Sequence, residues 1–237
     1  MDKIITIDLL RSFTYSNHDI CAKPIRGVVV SFMGLGNTAT FNDHTPEGVF
    51  FAKRGIVYLT PYLNPWAWMN DQAVAYTDEV VDVIFDAFNL PESTPVISTG
   101  GSMGGQSALV YTAKAKRTPK ACVTNCPVCD LVFHYTERPD LPRTLYSAFF
   151  SYDGTIESAL AKASPVHLAE KMPRVKYINY HCTQDKAVNF DRHSALFVDK
   201  MRALNHDIDF IPVEGCGHCA LPPDVRADFM NRIANEI

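Results

Sequence analysis

Short apolar runs alternate with amphipathic stretches along most of this chain. The apolar runs predict strands at residues 27–32, 55–60, 94–98, 121–124, 175–180 and 209–213. The amphipathic stretches predict helices at residues 45–53, 71–88, 106–115 and 223–236. Two further apolar runs, at 3–7 and 21–25, predict early antiparallel strands. Because apolar strands separated by helices are typical of sheets buried on both faces, the pattern predicts an α/β fold with a mostly parallel central sheet.

The composition agrees with one domain that spans residues 1–237. Hydrophobic residues make up 47% of the 237, so the chain can bury a sizeable core. The formal net charge of -4 gives no attraction to nucleic acid or to an anionic membrane. The N-terminus lacks the apolar core of a signal peptide, and no apolar run reaches the roughly 18 residues of a membrane span. We therefore expect a cytoplasmic protein with neither nucleic-acid nor membrane partners, whose oligomeric state is open.

The pentapeptide Gly100-Gly101-Ser102-Met103-Gly104 connects the predicted strand at 94–98 to the predicted helix at 106–115. A nucleophile elbow requires this context, because the chain turns sharply at the nucleophile. The residues two before and two after it must then be small. Gly100 and Gly104 occupy these two positions. Ser102 is therefore the candidate nucleophile.

A nucleophilic serine needs a base, and the base needs a group that orients it and stabilises its cation. After an elbow of this kind, the acid is expected next in the chain and the histidine last. Asp185 lies in a polar loop after the strand at 175–180, and is the candidate acid. His218 ends a glycine-rich turn after the last predicted strand, and is the candidate base. Asp130, which follows the strand at 121–124, is the alternative acid.

These residues make the chain similar to the α/β-hydrolases. Its C-terminal half most resembles the prolyl-oligopeptidase-like (S9-type) hydrolases and the related esterases. The matching segments are residues 100–105, 163–165, 185–188 and 215–218. The resemblance extends over roughly residues 25–237 and implies an α/β-hydrolase fold. Its motifs are specific for the catalytic machinery and unspecific for the substrate.

The resemblance also implies an oxyanion hole made of two backbone N–H groups. Met103, directly after the nucleophile, supplies one by position. Leu35, in the loop after the strand at 27–32, is the candidate for the other, and Gly34 beside it lets the substrate approach the backbone. Met33 stands where many relatives have histidine. Because the donor is a backbone amide, we expect this change to alter the support of the loop more than the chemistry.

Two segments are candidates for shaping a substrate pocket. Residues 62–70 follow the carboxyl end of a strand, where ligands of open α/β sheets bind, and contain both tryptophans. Trp66 and Trp68 either form an aromatic wall or anchor the loop on the core, and the sequence favours neither. Residues 129–171 are too many for a plain crossover and predict a small cap. Its aromatic side chains favour a small or aromatic acyl group.

The seven cysteines are an odd number, and we expect them to be reduced in an intracellular protein. They include one cluster at Cys122, Cys126 and Cys129, and a pair, Cys216 and Cys219, that flanks the candidate base with a spacing that could hold zinc. The first cluster has no obvious fourth ligand, and free cysteines are commonly buried, so no metal site is predicted. A thiol beside the imidazole would make activity sensitive to oxidation or thiol reagents.

The sequence therefore predicts a serine hydrolase that works through an acyl-enzyme without a cofactor. The preferred substrate is a carboxylic ester with a small or aromatic acyl group. The alternatives are a peptidase or amidase acting on short peptides, an acyltransferase or thioesterase, and a catalytically silent binding protein. The fold does not separate these functions, because one scaffold hosts many activities.

Overall fold

The structure, a computed structural model, describes residues 5–237, and seven strands within them form one sheet. The strands are β1 (Thr14–Ser16), β2 (Gly27–Phe32), β3 (Ile56–Pro61), β4 (Val96–Gly101), β5 (Ala121–Asn125), β6 (Lys176–Cys182) and β7 (Ile208–Val213). Their order in the sheet is β1-β3-β2-β4-β5-β6-β7. β1 runs antiparallel to β3, and every other neighbouring pair is parallel. The mostly parallel sheet predicted from the sequence is confirmed.

Helices fill most of the connections between the strands. They are α1 (Pro46–Ala52), α2 (Asp71–Ala87), α3 (Met103–Lys114), α4 (Leu131–Glu137), α5 (Leu141–Phe149), α6 (Ile156–Ala161), α7 (Pro165–Leu168), α8 (Leu196–Ala203) and α9 (Pro223–Asn235). Two 3₁₀ segments, Ile7–Ser12 and Ala169–Lys171, and one π-helical turn, Asp191–Ala195, complete the helical structure of the described residues. Every helix predicted from the amphipathic stretches is present, with small changes at its ends.

Alternate side chains of the strands pack into two separate layers. Val28 and Val30 of β2 lie in one apolar cluster with residues of α2, α3 and α8. Val29, between them, lies in a second cluster with residues of α1 and α9. Since successive side chains of a strand point to opposite faces, helices cover both faces of the sheet. This is the architecture of the α/β-hydrolase fold.

The predicted early strands are wrong for the residues that the structure describes. Residues 3 and 4 of the predicted strand at 3–7 lie outside the described residues, and Ile7 begins a 3₁₀ segment that buries Leu10. Residues 21–25 are irregular, and Pro24 has no N–H to donate to a sheet. The antiparallel strand is β1 instead, whose central residue Tyr15 is fully buried.

The predicted cap region contains helices α4 to α7 between β5 and β6. It is attached to the loop that follows β3. The indole N–H of Trp68 donates to Thr144 Oγ1 at 3.1 Å, and the Asn70 side-chain amide donates to Ala148 O at 3.0 Å. The two segments that we expected to shape the pocket are therefore joined to each other.

β4 and α3 are separated by one residue, so the chain crosses closely over itself. A Cβ added to Gly104 would overlap the carbonyl oxygen of Phe32 and lie 2.9 Å from that of Met33. A Cβ on Gly100 would overlap the carbonyl oxygen of Gly104. Both glycines are required by packing at the elbow, as the sequence motif indicated.

We expect Gly104→Ala to lower the free energy of unfolding by about 3 kcal/mol, because the backbone must move to admit the methyl group. Gly34→Ala is the matched control, since a Cβ there meets no atom within 4 Å among the described residues. Urea unfolding of both variants measures the effect as a lower midpoint at an unchanged slope. Equal losses in the two variants would show that close packing at Gly104 is not the constraint.

Candidate functional site

The carboxyl end of β4 leads into α3 through Ser102. Its φ of 58° and ψ of -125° lie outside the regions that residues with a Cβ ordinarily adopt. The Ser102 N–H donates to Asn125 O at 3.0 Å, and Ser102 O accepts from the Val128 N–H at 3.3 Å. Strain of this kind at a strand-to-helix turn is typical of a nucleophile elbow. Ser102 lines a cavity of about 500 Å³.

Asp185 and His218 lie in the loops after β6 and β7 and form a hydrogen-bonded pair. His218 Nδ1 lies 2.7 Å from Asp185 Oδ2. A carboxylate only accepts, so Nδ1 carries the proton, and Nε2 of the neutral ring has a free lone pair. The other carboxylate oxygen of Asp185 accepts from the Ala187 N–H at 2.8 Å and from the Val188 N–H at 3.0 Å. One carboxyl group thus orients the imidazole and holds its own loop.

The environment of this pair favours the ionised carboxylate. The Asp185 side chain is fully buried, whereas that of His218 is 31% exposed. Burial alone would raise the pKa of Asp185, but hydrogen bonds from His181, His218 and two backbone N–H groups outweigh it and hold the pKa well below its usual range. The hydrogen bond to Asp185 raises the pKa of His218 against the opposing effect of burial.

A buried polar network supports Asp185 from the side away from His218. His181 Nε2 lies 3.2 Å from Val188 O and 3.5 Å from Asp185 Oδ2, so it carries a proton. His181 Nδ1 then accepts from the Ser194 hydroxyl at 2.6 Å, and Asn179 Nδ2 donates to Ser194 Oγ at 3.1 Å. This network was not predicted from the sequence. The position of His181 at the end of β6 was the available signal.

His218 and Ser102 line the same cavity. Among the described residues no hydrogen bond joins these two side chains. His218 Nε2 lies 3.8 Å from Cys219 Sγ. Hydrogen bonds between catalytic groups are often long without substrate and tighten in the complex. The structure brings the nucleophile candidate to the cavity that the base candidate faces, with the acid candidate behind the base.

Two backbone amides are available for an oxyanion near Ser102. Met103 begins α3, where helical N–H groups have no intrahelical partner. Leu35 lies in a turn that is held by the Gly36 N–H, which donates to Pro65 O at 3.0 Å. Neither the Met103 nor the Leu35 amide donates to another atom of residues 5–237. Leu35 and Gly34 both line the Ser102 cavity.

The two tryptophans have different positions. Trp68 is fully buried against protein, yet it lines the Ser102 cavity and contacts the His134 ring edge-to-face at 5.5 Å. Trp68 therefore anchors its loop on the core and also borders the cavity. Trp66 lines a separate cavity of about 570 Å³, beside Phe150. The structure does not bring Trp66 to Ser102.

Asp130, the alternative acid, caps α4. Its carboxylate accepts from the Phe133 N–H at 3.0 Å, which is the usual role of an N-cap aspartate. It makes no contact with His218 among the described residues.

Glu137 in α4 is the centre of a second buried cluster. Its Oε2 lies 2.6 Å from His134 Nδ1 and 3.0 Å from His193 Nε2. Burial would raise the pKa of Glu137, but the hydrogen bonds from His134 and His193 outweigh it and lower the pKa. The cluster joins α4 to the π-helical turn and positions His134 at the cavity. The cluster was not predicted from the sequence, because His193 is 56 residues away from Glu137 along the chain.

Three groups of side chains within residues 5–237 have potential metal-ligating atoms within 4.8 Å of one another. In the groups around Glu137 and Asp185, the histidine and carboxylate atoms make the hydrogen bonds described above. The third group consists of Cys126, His218 and Cys219. It combines one cysteine from each of the two clusters seen in the sequence. Separately, none of the helices in the described part of the chain has the length and apolar character needed to cross a membrane.

Comparison with protein families gives one match. The model of the prolyl oligopeptidase family (Peptidase_S9) matches residues 72–235, which include all three candidate catalytic residues. A search of curated proteins gives no match.

Solved structures with this fold include both peptidases and esterases. An acylaminoacyl peptidase from Pyrococcus horikoshii superposes with a TM-score of 0.68 at 14% identity, covering 89% of this chain and 36% of that one. A thermophilic esterase from Thermogutta terrifontis superposes with a TM-score of 0.63 at 21% identity, covering 94% of this chain and 85% of the esterase. A lipase in its open form gives a TM-score of 0.63 at 12% identity, with 94% and 92% covered. This chain therefore spans about a third of the peptidase and most of the esterase and the lipase.

We expect Asp185→Asn to lower kcat for ester hydrolysis by about 10⁴-fold, because an amide favours the wrong tautomer of His218. Asp130→Asn is the matched control and should keep a kcat near that of the unchanged protein, since asparagine caps a helix as well as aspartate does. Steady-state kinetics with an aryl ester, on variants shown to be folded, measures both. A larger loss in Asp130→Asn would reassign the acid.

Proposed function

This chain belongs to the prolyl oligopeptidase family, and from that premise we propose that it is a serine hydrolase that cleaves a carboxylic ester through Ser102, His218 and Asp185. The observation that carries the proposal is the 2.7 Å hydrogen bond between His218 Nδ1 and the buried Asp185 carboxylate. It leaves the lone pair of His218 Nε2 facing the cavity that Ser102 also lines.

The proposed reaction is two-step acyl transfer. His218 Nε2 takes the proton of the Ser102 hydroxyl while Ser102 Oγ attacks the carbonyl carbon. The Met103 and Leu35 amides stabilise the negative oxygen of the tetrahedral intermediate. The ester C–O bond then breaks, and His218 returns its proton to the leaving alcohol. Water attacks the acyl-enzyme with His218 again as base, releasing the acid and restoring Ser102.

The lining of the cavity favours an ester with an apolar acyl group. Its apolar lining residues include Phe32, Leu35 and Trp68, of which Trp68 is fully buried and Phe32 nearly so, with Gly34 beside the oxyanion position. No aspartate or glutamate lines this cavity in the described residues, so a peptide's free amino group would find no carboxylate partner there. These features support a small or aromatic acyl group and a neutral ester.

A peptidase acting on short peptides is the second candidate. The observation that favours it is Arg138, which lines the same cavity. Its guanidinium pairs with Asp140 through Nε at 3.0 Å and one terminal nitrogen at 2.7 Å. The remaining N–H groups are free to donate to a peptide carbonyl or carboxylate. Cleavage of an ester and cleavage of an amide therefore have to be compared directly.

We expect a fluorophosphonate to add once to the protein and Ser102→Ala to abolish the adduct, because the reagent requires an activated serine. Ser107→Ala, in the same helix but off the Ser102 cavity, is the control and should keep the adduct. Intact-mass spectrometry reads the result. An adduct that survives Ser102→Ala would remove Ser102 from the role of nucleophile.

We also expect higher kcat/KM for short-chain aryl esters than for aminoacyl-arylamides. The cavity has no carboxylate among the described residues to pair with the ammonium group of an aminoacyl substrate, and it places the Arg138 cation near that group, so a neutral acyl group is accommodated at less cost. The two rates are measured on the same preparation, with Ser102→Ala as the blank for each. A preference for the arylamide would replace the esterase by the peptidase.

A further inference from the structure

The fold brings two thiols to the candidate base. Cys126 lies in the turn after β5, while His218 and Cys219 lie in the loop after β7. Cys219 Sγ is 3.8 Å from His218 Nε2, and the ligating atoms of all three residues lie within 4.8 Å of one another. The Cys182 N–H, from the strand between, donates to Cys126 Sγ at 3.3 Å. Two sulfurs and one imidazole nitrogen thus converge beside the Ser102 cavity.

The spacing of these atoms suits a zinc ion. Zn–S bonds of about 2.3 Å and Zn–N bonds of about 2.0 Å place the ligands of a tetrahedral site roughly 3.5 to 3.8 Å apart. The 3.8 Å separation between Cys219 and His218 already has this value. The other separations have to close by about 1 Å at most, which rotation of side chains can supply.

The hydrogen bond made by the other ring nitrogen of His218 also suits zinc binding. A metal-ligating histidine commonly donates its other ring N–H to a carboxylate, which fixes the tautomer and raises the basicity of the ligating nitrogen. His218 makes this contact with Asp185. Both cysteines also have left-handed backbone, with φ of 47° at Cys126 and 55° at Cys219. Residues with a Cβ adopt such angles at a cost, and strained backbone of this kind is frequent at functional sites.

We propose that Cys126, His218 and Cys219 bind Zn²⁺ as three protein ligands, with the fourth position open to the Ser102 cavity, and that the bound ion blocks hydrolysis. Each thiol releases its proton to solvent as its Zn–S bond forms, and His218 binds through the lone pair of Nε2. That lone pair is then unable to take the proton of Ser102. The claim that zinc blocks hydrolysis rests on the proposed function, whereas the claim that zinc binds to these three residues does not.

Cobalt tests binding without reference to activity. The full chain, with its thiols kept reduced by a phosphine, is titrated with Co²⁺, and we expect one equivalent to give a thiolate-to-cobalt charge-transfer band that Zn²⁺ removes. Cys219→Ser and Cys126→Ser should each lose the band. Cys21→Ser removes a buried thiol that belongs to none of the three candidate groups, and should keep it. If Cys126→Ser fails to fold, Cys219→Ser carries the test alone, because its thiol is partly exposed.

Zinc inhibition tests the blocking. We expect Zn²⁺ to stop ester hydrolysis and a chelator to restore it. Cys219→Ser should need about 100-fold or more zinc for half inhibition relative to its own zinc-free rate, since loss of a direct ligand costs at least as much as loss of an outer-shell partner. Cys21→Ser should be inhibited like the unchanged protein.

The outcomes separate this site from the proposed function. Absence of the cobalt band in the unchanged protein, or its survival in either folded site variant, overturns the zinc site even if Ser102 is labelled normally. A band without inhibition overturns the blocking. Ser102→Ala should bind cobalt normally, because Ser102 is not a ligand. Hydrolysis that survives in Ser102→Ala would overturn the proposed function and leave the metal site standing.

Discussion

The hydrogen bond between His218 Nδ1 and Asp185 Oδ2 is the interaction on which the site depends. It joins the loops after β6 and β7 at 2.7 Å, and the carboxylate that accepts it has no exposed surface. A buried carboxylate without partners would cost several kcal/mol, so its four hydrogen-bonding contacts have to be kept together. The same charge fixes the tautomer of His218 and holds residues 187 and 188 of its own loop.

The parallel sheet explains why these groups meet at all. The carboxyl ends of β4, β5, β6 and β7 lie at one edge, and the residues that follow them include Ser102, Cys126, Asp185 and His218. The two chemistries proposed for this edge therefore compete for one lone pair. In acyl transfer His218 Nε2 takes a proton, and in the zinc site it donates its lone pair to the ion. Occupancy of one role excludes the other.

Much of this arrangement could be predicted from the sequence, because it depends on local signals. Apolar runs marked the central strands, and the glycines at positions 100 and 104 marked the elbow, where packing against the carbonyls of Phe32 and Gly104 requires them. The prediction of the early strands was wrong because burial of Leu10 and Tyr15 is a tertiary effect that a short apolar run does not encode. Long-range clusters were also missed. Cys126 and Cys219 approach each other from the loops on either side of β6, and Glu137 contacts His193, which is 56 residues later in the chain. Neither contact can be predicted from the spacing of these residues in the sequence.

The most direct test of the account is to trap the intermediate. The protein is mixed with a short-chain aryl ester, quenched in acid during turnover, digested and analysed by mass spectrometry. We predict that the acyl mass appears on the peptide containing Ser102, and that the acyl group does not accumulate in His218→Ala. An acyl group found instead on Cys219, the thiol beside the same imidazole, would contradict a serine hydrolase and make the cysteine the nucleophile.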